Sequence, residues 1–143
     1  MRTIKFRGKC AKDSKYAGEW VEGGLLQCEK SKDVLIVYSI TDTCSCTYHV
    51  DPATVGQFTG LHDKNGKEIY EGDIIRSTRN GFGGVVMWHK CGYFYICENI
   101  FEDNSDCNGN YAKLGYMLEN HPYFEIVGNI SDNAPERLKG GEL

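Results

Sequence analysis

The chain has 143 residues, 41% hydrophobic and 25% charged, which are globular averages and enough length to bury a real core without disulfide or metal staples. Seventeen glycines against three prolines favour tight turns over linkers or disorder. A net charge of -4 argues against a general phosphate-binding surface, because non-specific nucleic-acid affinity rests on clustered Lys and Arg, and leaves room only for a local basic patch.

The opening "MRTIKFRGKC" alternates charged and apolar side chains and lacks the apolar stretch of roughly 7 to 15 residues that a signal peptide needs. No run approaches the roughly 18 apolar residues of a membrane span, so a cytoplasmic protein with no membrane partner is expected. "TIKFRG", "EWVEGGLLQCE" and "DVLIVYSI" read as strands separated by Gly, Asp and Ser, making residues 1–50 a β-meander. The short "EKSKD" connection suits a hairpin and is too short for a parallel crossover. At "VDPATVG" the pattern breaks: Asp51 is placed to cap a short helical turn that Pro52 opens.

"TVGQFTGLHDKNGKEIYEGDII" follows, with glycines at 56, 60, 66 and 72. Asn65 and Gly66 tolerate the positive φ of a tight hairpin turn, and Leu61 and Ile69 flank it on the arms. Gly72 lets the chain bend before "DIIRS", where Asp73 is placed to bind local N–H groups. "NGFGG" then returns it into "VVMWHKCGYFYIC", which predicts a small barrel-like meander through residues 51–130. Gly56, Gly60, Asn65, Gly66, Gly72, Asp73 and Gly128 are read as the turn-defining structural positions.

"EDNSDCNGN" reads as an exposed loop, and "YAKLGYMLENHP" carries helix and strand signals in equal measure. "YFEIVGNI" is a closing strand, and residues 131–143 suggest a C-terminal turn with Asn133 as N-cap and Glu136 as its capping-box partner. A single domain over 1–143 is expected, mostly β, with antiparallel meanders and one or two short helical turns.

The segment "TVGQFTGLHDKNGKEIYEGDII", the "GGVVMW" after it, the terminal "FEIVGNISDNAPERL" and the opening "IKFRGK" with "GEWVEGGLL" resemble, in the same order, the YopX family of small phage and prophage proteins. The resemblance implies a mostly β bacterial or phage cytoplasmic protein and is compatible with an oligomer. It carries over no catalytic residue.

Several clusters are candidates for chemistry. Cys44, Cys46 and His49 offer thiolate and imidazole to zinc, yet the spacing is not that of paired knuckles, and a strand would turn 44 and 46 away from 49. His89 lies near Cys91, with Asp73 or Glu98 as an orienting acid, but no nucleophile motif surrounds them. Glu68, Glu71 and Asp73 group beside a bend where acids more often cap backbone amides. Arg76, Arg79, Phe82, Trp88 and Lys90 interleave cations with rings, as nucleic-acid or partner surfaces do; the plainer reading makes Trp88 core and the arginines edge charges.

Seven cysteines, at 10, 28, 44, 46, 91, 97 and 107, should all remain thiols in a reducing compartment. No catalytic residue, metal or cofactor is expected. The favoured function is a non-catalytic binding or adaptor module acting on a host or phage macromolecule; an RNA- or DNA-binding barrel using the 76–90 hairpin and a small hydrolase are the alternatives. Residues 34–40 run uncharged, which predicts a self-association interface at or beside them and a homo-oligomer.

Overall fold

The computed structural model describes residues 1–41, 43–97 and 111–132. The loop expected at 102–110 and the C-terminal turn built on Asn133 and Glu136 lie outside them. The chain divides into two compact units, Met1–Phe58 and Thr59–Leu143.

The first unit is an antiparallel meander of β1 (Phe6–Lys9), β2 (Trp20–Gln27), β3 (Val34–Thr41) and β4 (Cys44–His49), in spatial order β4-β3-β2-β1. The start of β5 (Gly56–His62) pairs with β1, Gly56 opposite Arg7. Strand alternation puts Val34 and Ile36 on one face. There they form a core with Val50, against which Phe6, Val21, Leu25 and Val55 pack. Asp51 caps the 3₁₀ turn Pro52–Thr54 by accepting from the Ala53 N–H at 3.0 Å. The Thr54 hydroxyl oxygen accepts from the Lys9 N–H at 2.8 Å, holding that turn against β1. β3 is paired on both sides, Val37 standing opposite Gly24 and Thr47, so the sheet's edge is β4 and not the apolar β3.

The second unit begins with the hairpin of β5 and β6 (Glu68–Tyr70). It continues through β7 (Asp73–Ser77), β8 (Gly83–His89), β9 (Tyr93–Cys97), β10 (Tyr111–Lys113), α1 (Leu114–Asn120) and β11 (Phe124–Asn129). The segment with mixed signals is therefore both things, a strand to Lys113 and a helix from Leu114. The sheet order is β10-β9-β8-β7-β11. The expected barrel-like part is an open sheet: β10 and β11 end it and are not paired with each other among the described residues. Closure demands consistent tilt and stagger around the ring, whereas here α1 and the hairpin arms supply the apolar cover. Ile69, Ile75, Val86, Ile96, Leu114 and Phe124 form the core, with Leu61, Met117 and Leu118 packed on it.

One expectation about the thiols is corrected. Cys97, 2% exposed at the end of β9, is disulfide-bonded, while Cys10, Cys28, Cys44, Cys46 and Cys91 are free. The compartment argument sets only the redox poise; which sulfurs meet is decided by the fold.

Candidate binding cleft

A cleft of about 330 Å³ opens in the second unit between the β7–β8 turn and the segment that leaves α1 for β11. The turn owes its shape to local hydrogen bonds. The Arg79 N–H donates to Ser77 Oγ at 3.2 Å, the Phe82 N–H to Asn80 Oδ1 at 3.0 Å, and the Gly81 N–H to the Ser77 carbonyl at 3.1 Å. Short polar side chains that bond to the backbone two residues on are what favour such turns over continued strand. Across the cleft, both the N–H and the hydroxyl of Thr78 donate to the Tyr123 carbonyl, at 2.9 and 3.1 Å. That pair fixes the turn to the start of β11.

The guanidinium of Arg79 lies 4.0 Å from the centroid of the Tyr123 ring. Below it Phe82 meets Phe124 edge-on at 6.2 Å, and Met117 and Phe124 complete an apolar floor. His121, Asn80 and the buried Ser77 also line the cleft, and no carboxylate is among the lining residues. The site is thus a planar cation held over a ring, above apolar ground, in a chain of net charge -4. Such a surface favours an anion next to an apolar or planar group.

The structure separates the five residues suggested by the sequence. Arg79 and Phe82 belong to this cleft. Trp88 and Lys90 lie at the other end of β8, roughly 20 Å away at about 3.3 Å per residue. Trp88 is 49% exposed and packs edge-on against Phe94 at 4.8 Å. Arg76 pairs with Gly83 in the ladder. Tyr123 and His121, which share the cleft with Arg79, had no signal in the sequence, since nothing in local spacing ties them to the turn.

The acids by the hairpin serve the backbone. Asp73 is 1% exposed; its Oδ2 accepts from the Tyr70 N–H at 2.8 Å and its Oδ1 from Asn129 Nδ2 at 3.1 Å. Glu68 and Glu71 are half-buried beside it. Asp63 accepts from Asn65 and Lys67 at 2.8 and 2.9 Å, which shapes the turn that carries Gly66 at φ 80°. Gly60 and Gly72 have φ of 83° and 92°, Gly56 opens β5, and Gly128 sits at the register shift between β11 and β7.

The cysteine and histidine candidates are dispersed. Cys44, Cys46 and His49 lie along β4, where alternation turns His49 to the opposite face from the two thiols. His89 Nδ1 accepts from the backbone N–H of Cys91 at 3.0 Å, and its ring stacks on Tyr93 at 4.6 Å. Glu98 lies outside the described residues. Among the described residues, no three His, Cys, Asp or Glu are grouped so as to hold a metal ion, and no helix is long and apolar enough to cross a membrane.

No curated protein matches the sequence. The model of one family, described as YopX protein, matches residues 5–139, nearly the whole chain.

Proposed function

The chain belongs to the YopX family, and on that premise we propose that it is a non-catalytic binding module of phage or prophage origin, an adaptor for a host or phage macromolecule. The observation that carries this reading is the cleft at the β7–β8 turn, where Arg79 is stacked on Tyr123 over Phe82, Met117 and Phe124. A protein segment that places a carboxylate beside an apolar side chain matches it in charge and in surface.

Arg79 and Tyr123 also form a stacking platform of the kind that holds an unpaired base, so RNA or DNA is the second reading. A fluorescence-polarisation titration with labelled mixed oligonucleotides at about 50 and 200 mM salt separates the two, because phosphate contacts give a steep salt slope. The adaptor reading expects no salt-dependent oligonucleotide binding. It also expects a protein captured from bacterial lysate that is lost with Arg79→Glu and kept with Lys12→Glu, a charge change in the first unit. A captured set that Arg79→Glu leaves unchanged removes the cleft as the binding site.

A further inference from the structure

β4 is the edge strand of the first unit's sheet. Successive residues of an antiparallel strand turn their N–H and C=O to opposite sides. The Val50 N–H donates to the Val34 carbonyl at 3.1 Å, which sets the inward side. Residues 46 and 48 therefore bond toward β3, and residues 45, 47 and 49 turn outward. The outward carbonyl of His49 is taken by the Ala11 N–H at 2.9 Å. Ser45 and Thr47 are left with open N–H and C=O groups among the described residues.

Natural proteins blunt such an edge with Lys, Pro, inward charge or bulges. The strand Cys44–His49, "CSCTYH", carries no Lys, Arg, Asp, Glu or Pro, and the register shift in its ladder with β3 lies between Ser39 and Thr41, on the inner strand and not on the edge itself. We infer that the open edge of β4 pairs antiparallel with β4 of a second copy of this chain, about a twofold axis at Cys46.

The register follows from which groups are open. With only Ser45 and Thr47 available, Ser45 stands opposite Thr47 of the second copy, and Thr47 opposite its Ser45. Each of these two pairs exchanges both N–H···O bonds. Cys46 then faces its own counterpart in the close pair, where Cα atoms lie about 4.5 Å apart.

Charge selects a second copy as the occupant. A strand without formal charge sets no like charges against each other when it meets itself, and it offers none for an acidic or basic segment to match. Steric fit agrees. A cleft of about 420 Å³, walled by Asp13 and Tyr16, flanks the Cys46–His49 end of the edge. The second copy lays its Thr43, Cys44 and Ser45 there, all small, while its Tyr48 and His49 pass outward beyond Cys44. The assembly is closed, so it stops at two chains.

Size exclusion with multi-angle light scattering should give twice the 16.1 kDa chain mass. Thr47→Pro should give the monomer mass with an unchanged circular-dichroism spectrum, since the N–H it removes points away from β3 and proline is tolerated at strand edges. If that variant unfolds, Thr47→Lys keeps the N–H, sets like charges across the axis and should likewise give monomer. Diamide, which takes the two protons and two electrons released by a pair of thiols, should lock the dimer through Cys46, within the Cα range of about 4.4 to 6.8 Å that a disulfide accepts. The covalent dimer should be lost with Cys46→Ser and kept with Cys44→Ser. A 16.1 kDa particle across a hundredfold concentration range overturns the inference. So does a dimer that persists in Thr47→Lys, or a crosslink that survives Cys46→Ser.

Discussion

The N–H of Ile126 donates to Asp63 Oδ2 across 3.1 Å, joining two residues 63 positions apart. The other carboxylate oxygen of Asp63 accepts from Asn65 and Lys67, so one 7%-exposed side chain fastens the β5–β6 turn to β11. The Lys64 N–H, which donates to the Phe124 carbonyl at 2.9 Å, adds a second tie at the same place. Asp63→Asn puts an amide donor where an acceptor is needed and leaves at least one buried N–H without a partner. It should cost about 2 to 3 kcal/mol, read as a lower urea midpoint at unchanged slope. A midpoint equal to wild type would mean that the turn is held by its backbone alone.

Asp63 also makes stability depend on pH. Burial alone would raise its carboxyl, but hydrogen bonds from the N–H groups of Ile126, Lys67 and Asn65 outweigh that, and Lys67 adds attraction, so its pKa lies below the ordinary value. The folded pKa is thus lower than the unfolded value of about 3.9. The unfolded chain takes up the proton first, so this stabilisation is complete above the unfolded pKa and is lost as the pH falls through the folded one. Subtracting the acid unfolding curve of Asp63→Asn from that of wild type should show a difference that shrinks on acidification. A difference that stays constant into strong acid contradicts the assignment.

Two glycines should respond differently to alanine. At Gly66 an added Cβ meets nothing within 4 Å, and only the φ of 80° opposes it, so Gly66→Ala should cost about 1 kcal/mol. At Gly83 the same Cβ would overlap the backbone carbonyl oxygen of Ile75 on the neighbouring strand, which cannot move away without breaking the ladder. Gly83→Ala should therefore cost about 3 kcal/mol or more. Equal midpoints for the two variants would show that β7 yields where the packing says it does not.

The contrast shows what was legible in the sequence. The turn at Asn65 and Gly66, the cap at Asp51 and the alternating strands over "TIKFRG" and "DVLIVYSI" are local, and the residues that cause them sit beside one another. The central position of β3 is not local: an uncharged strand reads alike whether neighbours cover it or an edge exposes it. The charge of Arg79 near aromatic residues is visible in the sequence, but its ring partner Tyr123 comes from β11's approach, and no spacing rule links them. Likewise "YAKLGYMLENHP" gave mixed signals because the chain changes from strand to helix inside it, with Gly115 in the helix's first turn.

The thiols offer an independent check. Alkylation of protein denatured without reductant should label Cys10, Cys28, Cys44, Cys46 and Cys91 and spare Cys97, which should label only after reduction. In the native protein Cys28 should react ahead of Cys10. The Ser31 hydroxyl, then the N–H groups of Ser31 and Lys30, hold the exposed Cys28 thiol below its usual pKa, whereas burial and then Glu19 push Cys10 up. Peptide mapping by mass spectrometry reads both, and a Cys97 adduct formed without reductant would remove the disulfide.

The far end of β11 is fastened by a second acid, through a buried amide that is used at both ends. Asn129 Nδ2 donates to Asp73 Oδ1 at 3.1 Å, and both residues are buried, at 7% and 1% exposure. Asn129 Oδ1 in turn accepts from the Ser131 N–H at 2.8 Å, so the amide is used at both ends. Asn129→Ala removes a donor to a buried carboxylate and should cost about 2 to 3 kcal/mol. Asn129→Asp keeps the shape and the acceptor but sets a second carboxyl against the first. Two buried carboxyls that close repel, so Asn129→Asp should cost at least as much as Asn129→Ala at neutral pH. Urea midpoints at neutral pH measure both, and an aspartate variant as stable as wild type would mean that Asp73 and position 129 move apart.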